Sequence, residues 1–294
     1  MRSEESRRSS VRGEREQPWR YLAPAAHLLG IVTVYPLAHV VWLSLERRSL
    51  LDPAPPSFIG LGNYARLAAD ERFWNALGNT AYFVAVSVSL ELVLGLAFAL
   101  ALQRPFRGRA ALYGIILLPW AVPTAVSARM WEWMFEPDIG VLNYVLGAQV
   151  NWLGSPAWAL NAAVLMDVWK STPFVALLLI AGLQSIPQDL YRAAAVDGAS
   201  RWTVLARITL PLLAPMILVA LLFRTIDAFR VFDAIYVLTG GGPADSTETL
   251  SIYAYKMLFQ SLEFGYGSAL AVSVFACVAL IAAAYVFLLR RILQ

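Results

Sequence analysis

The chain has 294 residues, 59% of them hydrophobic and 15% charged, with a net charge of +3 at neutral pH. A soluble domain carries about a quarter charged residues, so this much apolar surface cannot all be hidden from water and part of its solvent is lipid. The single cysteine, Cys277, lies in an apolar run and excludes an intrachain disulfide.

Residues 1–20 are polar and Arg-rich, with Arg2, Arg7, Arg8, Arg12, Arg15 and Arg20 set among four glutamates. Such a segment buries no core and is expected to be a disordered basic cytoplasmic tail. Beside a membrane helix, a nucleic-acid-binding arm is the weaker reading, and no nucleic acid is expected as a partner. The run from Tyr21 to Leu45 is too long for the apolar region of a signal peptide and reads as an uncleaved signal anchor.

Five further apolar runs follow, at about 79–102, 110–134, 159–184, 211–238 and 266–289. Each can supply the roughly 20 residues that carry a helix across about 30 Å of hydrocarbon. The expected fold class is all-α, a polytopic membrane protein of six transmembrane helices over residues 21–294. Pro119 and Pro123 are expected to kink the third run. Lipid cannot satisfy backbone groups freed by a kink, so a neighbouring helix or a polar cavity must do so.

With the N-terminus inside, the inner segments hold fourteen basic residues: those of the tail, then Arg104, Arg107 and Arg109, then Arg192, Arg201 and Arg207, and finally Arg290 and Arg291. The outer loops hold Arg47, Arg48, Arg66, Arg72 and Lys256, most of them beside acids. The positive-inside rule selects this orientation, with both termini cytoplasmic.

Charges inside a span are costly and line a cavity or a bundle interior. The fifth run contains Arg224, Asp227, Arg230 and Asp233, alternating in sign every three residues, a spacing at which helix neighbours pair. They read either as a self-paired stripe that holds helices together or as the wall of a water-filled path. In the second reading Arg224, Asp227, Ala228 and Val231 share one side of the helix. The fourth run offers Asp167, Lys170 and Ser171, with Phe174 one turn on; Asp167 and Lys170 read equally as a structural ion pair. Glu91 is a lone intramembrane carboxylate, expected to play a hydrogen-bonded structural role. Arg129 and Glu132, beside Trp131 and Trp133, suit the outer interface. His27 and His39 are isolated and form no metal cluster. Thr239 to Pro243 is a helix stop and turn.

Between the fourth and fifth runs, residues 189–211 read as a short cytoplasmic helix, a break at Gly198 where a positive φ can end it, and a second helix leading to Pro211. Ala193, Ala194 and Ala195 leave a smooth face that another protein can approach closely. An ordinary connector needs neither feature.

This segment resembles the cytoplasmic coupling motif of permeases in binding-protein-dependent ABC importers: glutamate and two alanines, three residues, glycine, then about nine to I-x-L-P. Ala193 and Ala194 match the alanines, Gly198 the glycine beside Asp197, and Ile208, Leu210 and Pro211 the ending. Arg192 stands where the family usually has glutamate. Pro119-Trp-Ala-Val-Pro123, Trp169-Lys-Ser-Thr-Pro-Phe174 and Thr239-Gly-Gly-Gly-Pro243 resemble the carbohydrate branch, both maltose-type and trehalose-type.

The resemblance implies the type I importer permease fold, in a bacterial cytoplasmic membrane, importing a sugar of disaccharide size such as trehalose or maltose. It implies a second permease, two ATP-binding subunits that hold ATP and Mg, and an extracytoplasmic sugar-binding protein. It aligns Lys170, Ser171, Phe174, Arg224, Asp227, Ala228 and Val231 with the substrate path, and Arg192, Ala193, Ala194, Asp197, Gly198, Ile208, Leu210 and Pro211 with ATPase coupling. No cofactor is expected in this chain. A P-loop needs G-x-x-x-x-G-K-[ST], and neither Lys170 nor Lys256 follows a glycine, so energy comes from a partner or from an ion gradient. The alternative is an ion-coupled secondary transporter using Glu91 or the fifth-run charges. A membrane enzyme would need a metal cluster or nucleophile elbow that the sequence lacks.

Overall fold

The computed structural model describes residues 18–103 and 107–293. The expected tail, apart from residues 18–20, lies outside them, as does Arg104.

Apolar runs become helices here because a helix satisfies its own backbone polar groups, which lipid cannot do. In chain order, α1 (Leu22–Ser44) is followed by a two-residue hairpin pair, β1 (Glu46–Arg47) and β2 (Ser57–Phe58). Glu46 pairs with Phe58 and Arg47 with Ser57, the one departure from an all-helical chain among the described residues. Then come α2 (Gly62–Ala68), α3 (Glu71–Gln103), α4 (Arg109–Ala121), α5 (Thr124–Met134), α6 (Val141–Leu146) and α7 (Pro156–Gln184). The chain continues through α8 (Gln188–Val196), α9 (Arg201–Phe229), α10 (Asp233–Leu238), α11 (Leu250–Tyr255) and α12 (Phe264–Leu293). Five helices are long and apolar enough to cross a membrane, and six if α4 and α5 count as one span.

The bundle is organised around α7, whose apolar stretch is 67% buried inside the chain. It packs closely against α3, where Gly95 makes the approach possible: a Cβ there would lie 2.7 Å from Cγ1 of Val175. Gly182 does the same on the other flank, against Leu213 and Met216 of α9. Without a hydrophobic driving force between helices in lipid, close packing through small residues is what holds such interfaces. On the outside, Ile31 of α1 and Leu280 of α12 are 68% and 71% exposed, faces that lipid or a partner helix must cover.

Three expectations are corrected. The third run is not one kinked helix: α4 and α5 meet at 95°. The fifth run, expected to continue to 238, stops at Phe229 and resumes as α10, so Arg230 and Asp233 are not rungs of one ladder. The second run starts at Glu71 rather than near 79.

Candidate translocation path and coupling segment

Val122 precedes Pro123, and the proline ring pushes the preceding residue towards extended backbone; Val122 has φ −76° and ψ 133°, which ends α4. The break strands carbonyls that would otherwise be bonded within a helix. Lys170 of α7 reaches across and donates from Nζ to the carbonyl oxygen of Val122 at 2.6 Å and of Trp120 at 3.5 Å. The cation therefore caps a broken helix. The alternative ion pair with Asp167 does not form.

Beside it, residues of α5, α7, α9 and α10 enclose a cavity of about 170 Å³ at the interruption between Phe229 and Asp233. Lys170, Ser171, Asp227, Ala228 and Val231 line it, together with Asp167. Two of the seven substrate-path candidates are not on its wall. Phe174 belongs to an aromatic layer, with ring centroids 5.9 Å from Trp120 and 6.4 Å from Phe223. Arg224 is buried behind the wall, 4% exposed.

Arg224 is the hub of an ion cluster that joins three helices. Its Nε and Nη2 donate to the two oxygens of Glu91 on α3, at 2.5 and 2.8 Å. Nη2 also donates to Asp167 on α7 at 3.0 Å, and Nη1 to Asp227 one turn along α9 at 2.5 Å. Glu91 is thus not a lone carboxylate. The self-paired stripe reduces to Arg224 with Asp227; Arg230 and Asp233 have no ion pair within 4 Å among the described residues. Arg129 and Glu132 do pair, at 2.6 Å.

The coupling candidates occupy a helix–glycine–helix turn. Gly198 has φ +68° and a Cβ there would meet nothing within 4 Å, so backbone conformation is what requires glycine. The Ala199 N–H closes onto the Ala194 carbonyl at 2.9 Å, and Ser200 caps α9 by accepting from the Thr203 N–H at 3.2 Å. Ala194 is buried, whereas Arg192, Ala193, Ala195 and Asp197 are exposed. Arg192 pairs with Asp189 of its own helix at 3.2 Å. Ile208 and Leu210 are half-buried and Pro211 is exposed, in and just after the π-turn Leu205–Thr209. Tyr191 is hydrogen-bonded to Thr209 at 3.2 Å, which ties α8 to that turn. Two exposed apolar residues flank the alanines and were not singled out in the sequence, Val196 at 88% and Trp202 at 80%. Their signal was there: apolar side chains in a polar connector.

At the opposite region of the chain, the turn from Thr239 to Pro243 is locked. Glu248 is fully buried and bound by Arg72 at 2.6 and 2.8 Å and by Lys256 at 2.7 Å. Asn79 donates to the Asp245 and Glu248 carbonyls. Sequence reading gave no pairing for Glu248, since Arg72 is 176 residues away.

Residues 91–294 match the model of the family described as binding-protein-dependent transport system inner membrane component. The trehalose/maltose transport system permease protein MalF of Thermococcus litoralis is 49% identical over 85% of this chain and 87% of its own length. The trehalose transport system permease protein SugA of Mycobacterium tuberculosis is 45% identical over 94% of this chain and 90% of its own. Among solved structures, a bacterial ABC transporter involved in the import of the acidic polysaccharide alginate shares the fold, with TM-score 0.82 at 24% identity over 97% of this chain and 100% of that one. The chain belongs to the family of binding-protein-dependent inner-membrane transport components and is a multi-pass membrane permease subunit.

Proposed function

We propose that the chain supplies one half of the translocation path of an ATP-driven importer for a sugar of disaccharide size, of the trehalose or maltose type. The observation that carries this is the polar cavity at the interruption between α9 and α10, walled by Asp167, Lys170, Ser171 and Asp227. Carboxylates accept from sugar hydroxyls, and the ammonium and hydroxyl donate to sugar oxygens. The sugar class is supported by the two relatives whose names carry trehalose.

The cavity, at about 170 Å³, is smaller than the roughly 300 Å³ at which ligand pockets begin. A second permease facing α7 and α9 completes it. The exposed face of α8, with Ala193, Ala195 and Val196, together with Trp202 at the start of α9, takes an ATP-binding subunit on the cytoplasmic side, one of two in the assembly, and ATP and Mg sit there rather than in this chain. Both termini are cytoplasmic, on the side of Arg107, Arg109, Arg192, Arg290 and Arg291. The Thr239–Pro243 turn, braced by Arg72, Glu248 and Lys256, faces the extracytoplasmic binding protein.

Transmission follows from continuity. Gly198 joins α8 to α9, and α9 runs 29 residues to Phe229, at the cavity. Closure of the ATP-binding subunits moves α8, the continuous α9 carries the displacement, and the interruption after Phe229 opens or closes the polar chamber.

The test is uptake of labelled trehalose and maltose by liposomes holding the assembled complex with its binding protein. Uptake that requires internal ATP and survives collapse of ion gradients supports the reading. Gradient-driven uptake without ATP overturns it.

A further inference from the structure

The transport reading leaves one buried carboxylate without a task. Glu91 is fully buried in α3, and both its oxygens are taken by one edge of the Arg224 guanidinium. The remaining N–H groups of that guanidinium point the other way, to Asp227 and Asp167, which line the cavity. Side-chain exposure rises in that order: Glu91 0%, Arg224 4%, Asp167 13% and Asp227 66%. The cluster is layered from the core of the bundle to the path.

We infer that Glu91 is a positioning residue for the path: it fixes and neutralises Arg224, which in turn presents Asp227 and Asp167 to the hydroxyls of the cargo. The inference rests on the sugar-path reading above and deepens it. A guanidinium is a planar fork that a carboxylate grips at two points, so a bidentate partner sets both its position and its plane. Glu91 grips at two points, whereas Asp227 is held at one. Without the charge of Glu91, the full attraction of Arg224 falls on the two aspartates and draws them off the cavity. With it, the Glu91–Arg224 pair is neutral, and the wall keeps three carboxylates, Asp167, Asp227 and Asp233, against two cations, Lys170 and Arg230. Such a wall has acceptor capacity to spare for a polyol, whose hydroxyls are donors.

A cluster that merely welds α3, α7 and α9 together would tie Glu91 to stability alone. The two roles separate in a double-mutant cycle on the complete transporter in liposomes, with its binding protein and labelled trehalose and maltose as probes. Turnover at saturating binding protein is measured for the unmodified complex, Glu91→Gln, Asp227→Asn and the double variant, with thermal unfolding of each followed in parallel. If Glu91 acts through Asp227, each single change lowers turnover about tenfold and the double stays within about threefold of Asp227→Asn, since coupled sites are not additive. Losses that multiply to about a hundredfold, or a loss in Glu91→Gln matched by an equal loss in thermal stability, overturn the inference. Should Glu91→Gln fail to fold, Glu91→Asp, which keeps the charge on a shorter arm, runs the same cycle. Additive losses in a complex that imports sugar sink the inference alone; an unmodified complex that imports neither sugar sinks the sugar-path reading with it.

Discussion

The ammonium of Lys170 lies 2.6 Å from the carbonyl oxygen of Val122, so a side chain on one transmembrane helix satisfies a carbonyl that the break before Pro123 leaves open in another. The same lysine lines the polar cavity. The fold and the proposed path share the residue, and substitutions there are expected to affect both.

Lys170→Met leaves the Val122 carbonyl without its donor. The bond is half-buried, and the expected cost is about 1.5–3 kcal/mol of stability, the worth of a hydrogen bond to a charged group, with lowered sugar turnover. Lys170→Arg, which keeps a donor in reach, is expected to recover much of the stability. Thermal unfolding of the purified permease separates the two variants.

The contact between α3 and α7 depends on the absence of a single methyl group. Gly95→Ala places a carbon 2.7 Å from Val175 Cγ1 and 3.2 Å from the backbone nitrogen of Ala176. Overpacking of this kind costs about 1–3 kcal/mol. Gly78→Ala, on the same helix with nothing within 4 Å, is the matched control and is expected to leave the unfolding temperature unchanged or slightly raised.

Outside the spans, Asp70 gives the fold an acid-sensitive contact. Burial pushes its carboxyl up, but donation by the Tyr253 hydroxyl at 2.5 Å, by the Tyr266 hydroxyl and by the Arg72 and Phe73 N–H groups outweighs burial and holds it below its ordinary 3.8. A depressed carboxyl contributes stability that is fully present above its unfolded pKa and is lost as pH falls through the folded one. Asp70→Asn is therefore expected to lower the unfolding temperature by a constant amount above about pH 5, with the gap closing below about pH 4. A gap that widened on acidification would contradict this sign.

Much of the membrane architecture was legible because long apolar runs have few other solutions. Glu71 to Gly78 escaped because these first two turns of α3 are polar enough to read as loop, yet Phe73 and Ala76 pack inside. Pro119 and Pro123 announced a disturbance, but a 95° turn needs the partner across from it, Lys170, to be affordable. Nothing local announced the end of α9: Arg230, Val231 and Phe232 include neither glycine nor proline. The pairing of Glu91 with Arg224 spans 133 residues, a distance no periodicity can bridge. Residues on the cavity wall were named from family likeness and charge; what sequence missed was depth, with Arg224 behind the wall and Phe174 in an aromatic layer beside it.

The central claim is that α8 and Gly198 couple ATP hydrolysis in partner subunits to the polar cavity in this chain. Its most direct test is ATPase activity of the liposome-reconstituted complex, with and without trehalose-loaded or maltose-loaded binding protein, for the unmodified chain and for Gly198→Asp. Aspartate tolerates the left-handed region better than most residues and a Cβ meets no neighbour here, so the variant is expected to fold while placing a charge and a side chain on the proposed docking face. The account predicts that sugar-loaded binding protein stimulates hydrolysis several-fold in the unmodified complex, and that Gly198→Asp abolishes stimulation and uptake together. Full stimulation and uptake in Gly198→Asp, or sugar uptake with no ATP turnover, would contradict it.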